Sequence, residues 1–433
     1  MSAAPRIFFV LLLLALVSAA QADERWPRFQ GPPADGLKLP QHWSPTENIA
    51  WQAKLPGYGQ SSPVVWDGRV FVTSISGEMK ETCHVAAFDL HTGKSLWQRD
   101  FKAASPAENN GYVSKAAPTP IVDRAGLVAL FEGGNLVALS HAGEVRWQRN
   151  LVEELGPIES RHGLAASLEQ DQERAFAWIE RSESPYVLAV SKATGETVWK
   201  SEGLGVTSWS SPRLVPVGKG EHLVLSGIGK LAGLDPQTGE RLWEFDDIAG
   251  NSTPTPVPVE NGAFLIGATA GREAGGGESA AASNGIIEIE RQGDGTFAAK
   301  WRWRAARATS SFGSPIAHQG YAYFVNRVGV LYCLDAQTGK EQYAKRTASS
   351  IWATPIAIAD RLYLFGRDGT TTLTQAGPKF DRLAENQLWN NTPQPTTGQD
   401  APIATGGPVL YAVVAIDGRF LVRTGETLYL IGE

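Results

Sequence analysis

One pattern recurs along the chain at intervals of about 40 to 60 residues. It reads apolar, Ala, apolar, Asp, two residues, Thr, Gly, three residues, Trp. Its copies are AAFDLHTGKSLW ending at Trp97, VALSHAGEVRW at Trp147, LAVSKATGETVW at Trp199, AGLDPQTGERLW at Trp243 and CLDAQTGKEQY at Tyr343. The aromatic follows its glycine by four residues in each: Gly93 to Trp97, Gly143 to Trp147, Gly195 to Trp199, Gly239 to Trp243, Gly339 to Tyr343. A degenerate copy with an enlarged turn, IIEIERQGDGTFAAKW, ends at Trp301. The local chemistry is that of a hairpin: an alternating strand, a turn in which Asp accepts backbone N–H bonds and Gly takes positive φ, and a second strand. Asp89, Asp235 and Asp335 are turn residues by this reading. A Trp at a fixed place on the second strand is a wedge against the neighbouring unit, burying roughly 150–250 Å².

A second pattern interleaves with the first. A small or hydroxyl residue plus Pro opens an apolar run, then comes a polar turn and another run, at Pro63, Pro120, Pro212, Pro256, Pro315 and Pro355. Two further openings, around Ser167 and Val413, lack the proline. Eight openings, each followed by a second hairpin, make eight four-stranded antiparallel units, none of which can bury both faces alone. The expected fold is therefore all-β, a single eight-bladed β-propeller. The eighth unit, residues 413–432, supplies only three strands, while Asn48 to Leu55 (NIAWQAKL) is a lone Trp-bearing strand before the first opening. That strand is expected to complete the last blade, leaving no open edge.

The domain reading follows: a signal peptide at 1–22, an irregular arm at 23–47 and the propeller at 48–433. Arg6 precedes an apolar run from Ile7 to Val17, and Ala20-Gln21-Ala22 is an A-x-A cleavage site. The run is too short to span a bilayer, and no later stretch reaches about 18 apolar residues. An exported mature protein beginning near Asp23 is expected, periplasmic or extracellular, with no transmembrane segment. Residues 269–285 and 391–406 are Gly-, Ala-, Ser-, Pro- or Thr-rich and fall outside the repeat, as does the arm with its WPRFQGPPADG.

The formal net charge of −6 argues against nucleic acid, which requires a basic face. Cys83 and Cys333 lie in distant repeats, read as buried free thiols, and form no C-x-x-C signature. None of the seven His falls at a metal-binding spacing; His91 and His141 sit in repeat turns and read as surface residues. There is no G-x-S-x-G elbow, phosphate-cradling loop or obvious catalytic carboxylate pair.

The A-x-D-x-x-T-G-x-x-x-W motif, most intact from Ala87 to Trp97, resembles the repeat of the pyrroloquinoline quinone (PQQ)-like propellers. That group includes quinoprotein alcohol dehydrogenases and the non-catalytic BamB-like assembly factors. The resemblance covers nearly all of residues 48–432, and Trp26-Pro27-Arg28-Phe29-Gln30-Gly31 is similar to the segment that introduces the propeller in that superfamily. It implies architecture first, since fold alone does not give function. The dehydrogenases of the group use calcium beside the quinone, a carboxylate base and commonly a vicinal disulfide. This chain has no adjacent cysteines and no Asp/Glu/Asn cluster that matches the calcium and base motif, so no catalytic residue, metal ligand or cofactor is expected. A BamB-like scaffold of the cell envelope is the leading expectation, with an envelope protein, a peptide or a small planar or anionic ligand as partner. A PQQ- and Ca²⁺-dependent oxidoreductase is the alternative.

Residues just before each innermost strand line one mouth of a propeller's channel, so equivalent positions converge. Those positions are Tyr58 and Gln60; Tyr112, Ser114 and Lys115; Arg161 and His162; Ser208 and Trp209; Asn251 and Ser252; Phe312; and Trp352. The expected ligand-binding set is Tyr112, Lys115, Arg161, His162, Trp209, Asn251 and Trp352, joining cations and hydrogen-bond donors to flat aromatic faces. The competing reading is that these groups plug the channel and satisfy one another.

Overall fold

The computed structural model describes residues 24–32, 36–110, 113–160, 162–181, 183–269, 282–310, 312–390 and 408–432. The expected signal peptide lies outside these, as do residues 270–281 of the Gly/Ala/Ser stretch and 391–406 of the Pro/Thr/Gly connection. Eight antiparallel sheets follow one another around a ring. Blade 1 runs outward through Val64–Trp66, Arg69–Ser76, Thr82–Asp89 and Ser95–Lys102. Blades 2 to 7 begin at Ile121, Glu169, Arg213, Val257, Ile316 and Ile356. Blade 8 is Leu410–Ile416, Arg419–Thr424 and Thr427–Ile431, completed by Ile49–Lys54 from the start of the chain. The ring thus closes as the strand count requires. One short helix, Leu151–Leu155, is capped by the Asn150 side chain. No helix among the described residues is long and apolar enough to cross a membrane.

Each outermost strand carries a bulge, and the bulge aims the wedge. Ala87 pairs with Trp97 but Phe88 with Ser95, leaving Leu96 as the extra residue; the same shift precedes Trp147, Trp199, Trp243 and Tyr343. The extra residue twists the strand and turns the following side chain toward the next blade. There the indole N–H donates to a turn carbonyl: Trp51 to Leu90 at 2.9 Å, Trp97 to His141 at 2.9 Å, Trp147 to Lys192 at 3.0 Å and Trp199 to Pro236 at 3.0 Å. The turn glycine lies flat on the ring: a methyl group at Gly93, Gly143, Gly195 or Gly239 would sit within 2.6 Å of the indole it covers. The Thr-Gly of one blade and the Trp of the one before it are therefore two halves of one joint.

Two wedges differ from the sequence reading. In blade 5 the bulge falls at Arg302, so the residue that docks on the next blade is Trp303, not Trp301; Trp303 donates to Ala336 O at 2.9 Å under Gly339. Trp301 instead donates to Asp247 O, back toward blade 4. Trp243 faces a blade without a Thr-Gly turn and donates within its own blade, to His222 Nδ1 at 3.0 Å.

The hydroxyl residue at the openings of blades 1 to 7 has an equally defined use. Ser62 N donates to Thr119 Oγ1, Thr119 N to Ser167 Oγ, Ser167 N to Ser211 Oγ, Ser211 N to Thr255 Oγ1, Thr255 N to Ser314 Oγ and Ser314 N to Thr354 Oγ1, all at 2.9–3.2 Å. These bonds stitch blades 1 to 7 together at the inner rim, where buried backbone N–H groups must find acceptors. Asp89 and Asp335 accept backbone N–H groups two and three residues on, together with a Thr hydroxyl, as turn residues should. Both cysteines are free and buried, and burial pushes each thiol up to about 12. His91 is exposed, but His141 is half-buried, stacked on Trp66 with Nε2 on Asp123 O.

The arm is ordered through the channel. Arg25–Trp26 adds a fifth strand to the inner edge of blade 1. Pro27 O accepts from Val122 N and from the Gln170 side chain, reaching blades 2 and 3. Arg213 of blade 4 donates to Phe29 O and Gln30 O at 3.2 and 2.9 Å, and the buried carboxylate of Glu169 lies between Arg28 and Arg213 at 3.3 and 3.5 Å. Gly31 folds back onto the Trp26 ring, 2.5 Å from where a Cβ would stand. The remaining space is a cavity of about 360 Å³ toward blades 5 to 8, bounded by Trp26, Gln30, Val257, Ile316, Ile356 and Tyr411.

Candidate functional site

The innermost strands all start at one face, so the connections between blades and the second turn of each blade gather at one mouth. Four rings run in a row there. Phe312 stands 4.9 Å from Trp352, Trp352 is 6.3 Å from Tyr411, and Tyr411 is 6.1 Å from Tyr58. The interplanar angles of 57°, 51° and 76° are the tilted and edge-on arrangements that ring quadrupoles favour. Phe312 is 48% exposed. Two cations lie on the row: Arg367 4.6 Å over Trp352, the second ring, and Lys115 Nζ 5.0 Å over Tyr58 at its far end. Burial and the Lys80 charge lower the Lys115 pKa from the usual lysine value.

Beneath the row lies a guanidinium. Arg423, fully buried, donates to Ser61 O at 3.0 Å, to Ser61 Oγ and to Thr73 O, while its Nε has no partner. It spans the seam between blades 8 and 1, where Ala412 stands at the position that carries the opening hydroxyl in the other blades. Burial pulls its pKa down to about 9, against the opposing influence of Tyr58 and Tyr411. The two phenol oxygens are 2.7 Å apart, and burial drives the Tyr58 pKa well above the ordinary phenol value. Two glycines make room for this stack: a Cβ at Gly59 would meet Arg423 at 2.1 Å, and one at Gly425 would meet the Tyr58 ring at 2.2 Å.

The remaining expected residues divide by use. Tyr112 and Arg161 lie outside the described residues. His162 and Trp209 form a separate pair, rings 5.5 Å apart. Asn251 is fully buried and does not face a ligand: its amide donates to Ser226 Oγ and Lys230 O and accepts from Gly229 N. Gln60 and Lys115 exchange hydrogen bonds that join adjacent connections. Ser114 donates to Leu164 O and Ser208 to Ser226 O. The small polar members of the ring thus knit the connections together, and the aromatics and Lys115 face outward. Sequence reasoning missed Tyr411, because its blade has lost the opening proline, and Arg367, which sits in a turn. Arg423 carried a usable signal, a lone charge in the apolar strand RFLVRT.

The two faces differ in their turns. Met79, Ile228, Val328 and Phe312 are exposed apolar residues on the mouth-side loops, whereas the opposite face shows the Asp-x-x-Thr-Gly turns. Among the described residues one group of three metal-ligating side chains is gathered, Glu24, His91 and Asp417. It lies on the opposite face, with Arg419 against His91 Nδ1 at 3.3 Å. At the mouth, Glu132 is committed to Lys80 and Ala116 N, and Glu180 to Trp178 and Leu204 N. The described residues there do not fit a calcium ion with an adjacent carboxylate base.

The sequence matches the family described as outer membrane protein assembly factor BamB over residues 42–161, 183–273 and 284–428. Among curated protein sequences none matches significantly. Among solved structures, BamB from Moraxella catarrhalis is similar at 13% identity and a TM-score of 0.59, covering 88% of this chain and 99% of its own. Quinohemoprotein alcohol dehydrogenase from Comamonas testosteroni is similar at 14% identity and 0.55, covering 95% and 81%. A europium-containing methanol dehydrogenase gives 10% and 0.56, covering 95% and 98%. At these identities the likenesses establish the propeller and nothing finer.

Proposed function

The chain belongs to the outer membrane protein assembly factor BamB family, and from that premise we propose that it is an exported, non-enzymatic scaffold that holds a protein partner on its mouth face. The carrying observation is the row Phe312, Trp352, Tyr411 and Tyr58, an aromatic strip that runs from the connection between blades 5 and 6 to the ring closure, on the face that also exposes Met79, Ile228 and Val328. Anchors of this type, large rings with little rotamer freedom beside a cation, supply most of the affinity in protein interfaces. The arm fills the channel behind the strip on the side of blades 1 to 4, which favours a surface-bound partner over a threaded one. The paired change Phe312→Ala/Trp352→Ala is expected to weaken partner binding by about tenfold or more while leaving the thermal midpoint near that of the parent. The check is a titration with whichever partner co-purifies from the native envelope. Unchanged affinity would remove the mouth from the function.

A PQQ-dependent oxidoreductase is the second reading, supported by the fold likeness to two alcohol-oxidising enzymes and by rings flat enough to face a quinone. Reconstitution with PQQ and Ca²⁺, followed by alcohol-dependent dye reduction, separates the two. The scaffold reading expects no rate above that of PQQ and Ca²⁺ without protein. Turnover that depends on the folded chain would favour the enzyme.

A further inference from the structure

Two cations of the aromatic row, Lys115 at its end and Arg423 beneath it, make no ion pair among the described residues. Lys115 is held over the Tyr58 ring and makes no ion pair among the described residues. Arg423 is fully buried, and among the described residues its hydrogen bonds go to carbonyl and hydroxyl oxygens and none to a carboxylate. Lys80, the other buried cation nearby, is different: Glu132 neutralises it at 3.3 Å. Glu426, an exposed turn residue, is the carboxylate whose charge registers at Tyr58. A buried guanidinium without a counter-charge projects its field through a medium that screens poorly. In a hydroxyl pair only one proton lies between the two oxygens. The accepting phenol of the Tyr58–Tyr411 pair therefore keeps a proton to donate elsewhere.

These observations share one polarity. The site offers a lysine, an O–H donor and a buried positive charge within one aromatic strip, and Gly59 and Gly425 leave room for that stack at distances no other residue tolerates. A phosphate-backbone ligand is disfavoured by the net charge of −6. A basic segment would meet like charge.

We infer that the mouth receives an acidic segment of a partner chain, with a carboxylate set against Lys115 and the Tyr58–Tyr411 hydroxyls and an aromatic or large apolar neighbour against Phe312 and Trp352. This rests on the reading of the mouth as the partner face and adds the chemistry of what is bound.

The test uses the full chain and three acetylated, amidated hexapeptides in which tryptophan alternates with glutamate, glutamine or lysine, titrated by calorimetry. The glutamate peptide is expected to bind about tenfold tighter than the glutamine peptide, to weaken as salt is raised, and to lose that advantage in Lys115→Met. Arg423→Met is expected to do the same, provided its circular dichroism matches the parent; Lys115→Met, on the surface, carries the test if it does not. Equal binding of the glutamate and glutamine peptides, abolished by Phe312→Ala/Trp352→Ala, would overturn the acidic preference and leave the mouth as the partner face. Binding of any peptide that ignores both the Lys115 and the Phe312/Trp352 changes would overturn both, as would no binding of any of the three.

Discussion

Trp303→Ala is expected to destabilise the propeller by about 3–5 kcal/mol, and Trp301→Ala, two residues away, by about 1 kcal/mol or less. Trp303 is 7% exposed, follows the bulge at Arg302, donates to Ala336 O and lies under Gly339, whose φ of +71° holds the turn flat on the indole. Removing the ring leaves a hole between blades 5 and 6 and orphans a turn carbonyl. Trp301 is only half-buried, against Phe245 and beneath the Arg304 guanidinium, so water can replace most of what it loses. Urea midpoints of the two variants give the answer. Equal losses, or a larger loss at Trp301, would show that the bulge does not select the wedge.

Glu169→Gln is expected to cost about 3–5 kcal/mol, the usual consequence of breaking a buried ion pair from one side. The carboxylate is 2% exposed and sits between Arg28 of the arm and Arg213 of blade 4, with Gln170 N and Leu214 N also donating to it. Burial pushes its pKa upward, while the Arg28 charge and the Gln170 and Leu214 N–H groups oppose the shift. Without that charge, Arg28 loses its tie and Arg213 is left with arm carbonyls alone. Arg28–Phe29 is a tryptic bond held inside the channel, so limited trypsinolysis reports arm release directly. Cleavage there in Glu169→Gln but not in the parent is expected. A protected arm and an unshifted midpoint would mean that the arm is held by its strand pairing and backbone bonds instead.

Much of the fold could be read from the chain because its joints are local and repeated. The Asp-x-x-Thr-Gly turn, the Trp four residues past its glycine and the Ser/Thr-Pro opening each occupy a few residues, and each recurs in register. Ring closure followed from counting three strands in the last unit and one spare strand in front. What the period could not show was where a degenerate copy places its bulge, which moved the wedge from Trp301 to Trp303. Nor could it show that a Pro- and Gly-rich arm finds order through carbonyl contacts to Arg213 and Val122. Those depend on residues far apart in sequence that share no motif.

The mouth was half legible for the same reason. Equivalent positions before each innermost strand do converge, which located Lys115, Trp352 and, outside the final set, Tyr58 and Phe312. Position alone does not say whether a polar side chain faces out or ties one connection to the next. Asn251, Gln60, Ser114 and Ser208 took the second course. Tyr411, which links Trp352 to Tyr58 within the row, and Arg423, which lies beneath it, come from the blade whose opening diverged most.

Site-specific photo-crosslinking in intact native cells tests the mouth as the functional face most directly. The crosslinker would stand at position 312 on the aromatic row and, in a matched strain, at position 198 on the outer rim, where bulged Val198 is 49% exposed. The scaffold account predicts a discrete protein adduct from position 312 and none from position 198. An adduct from position 198 alone, at equal expression, would contradict it.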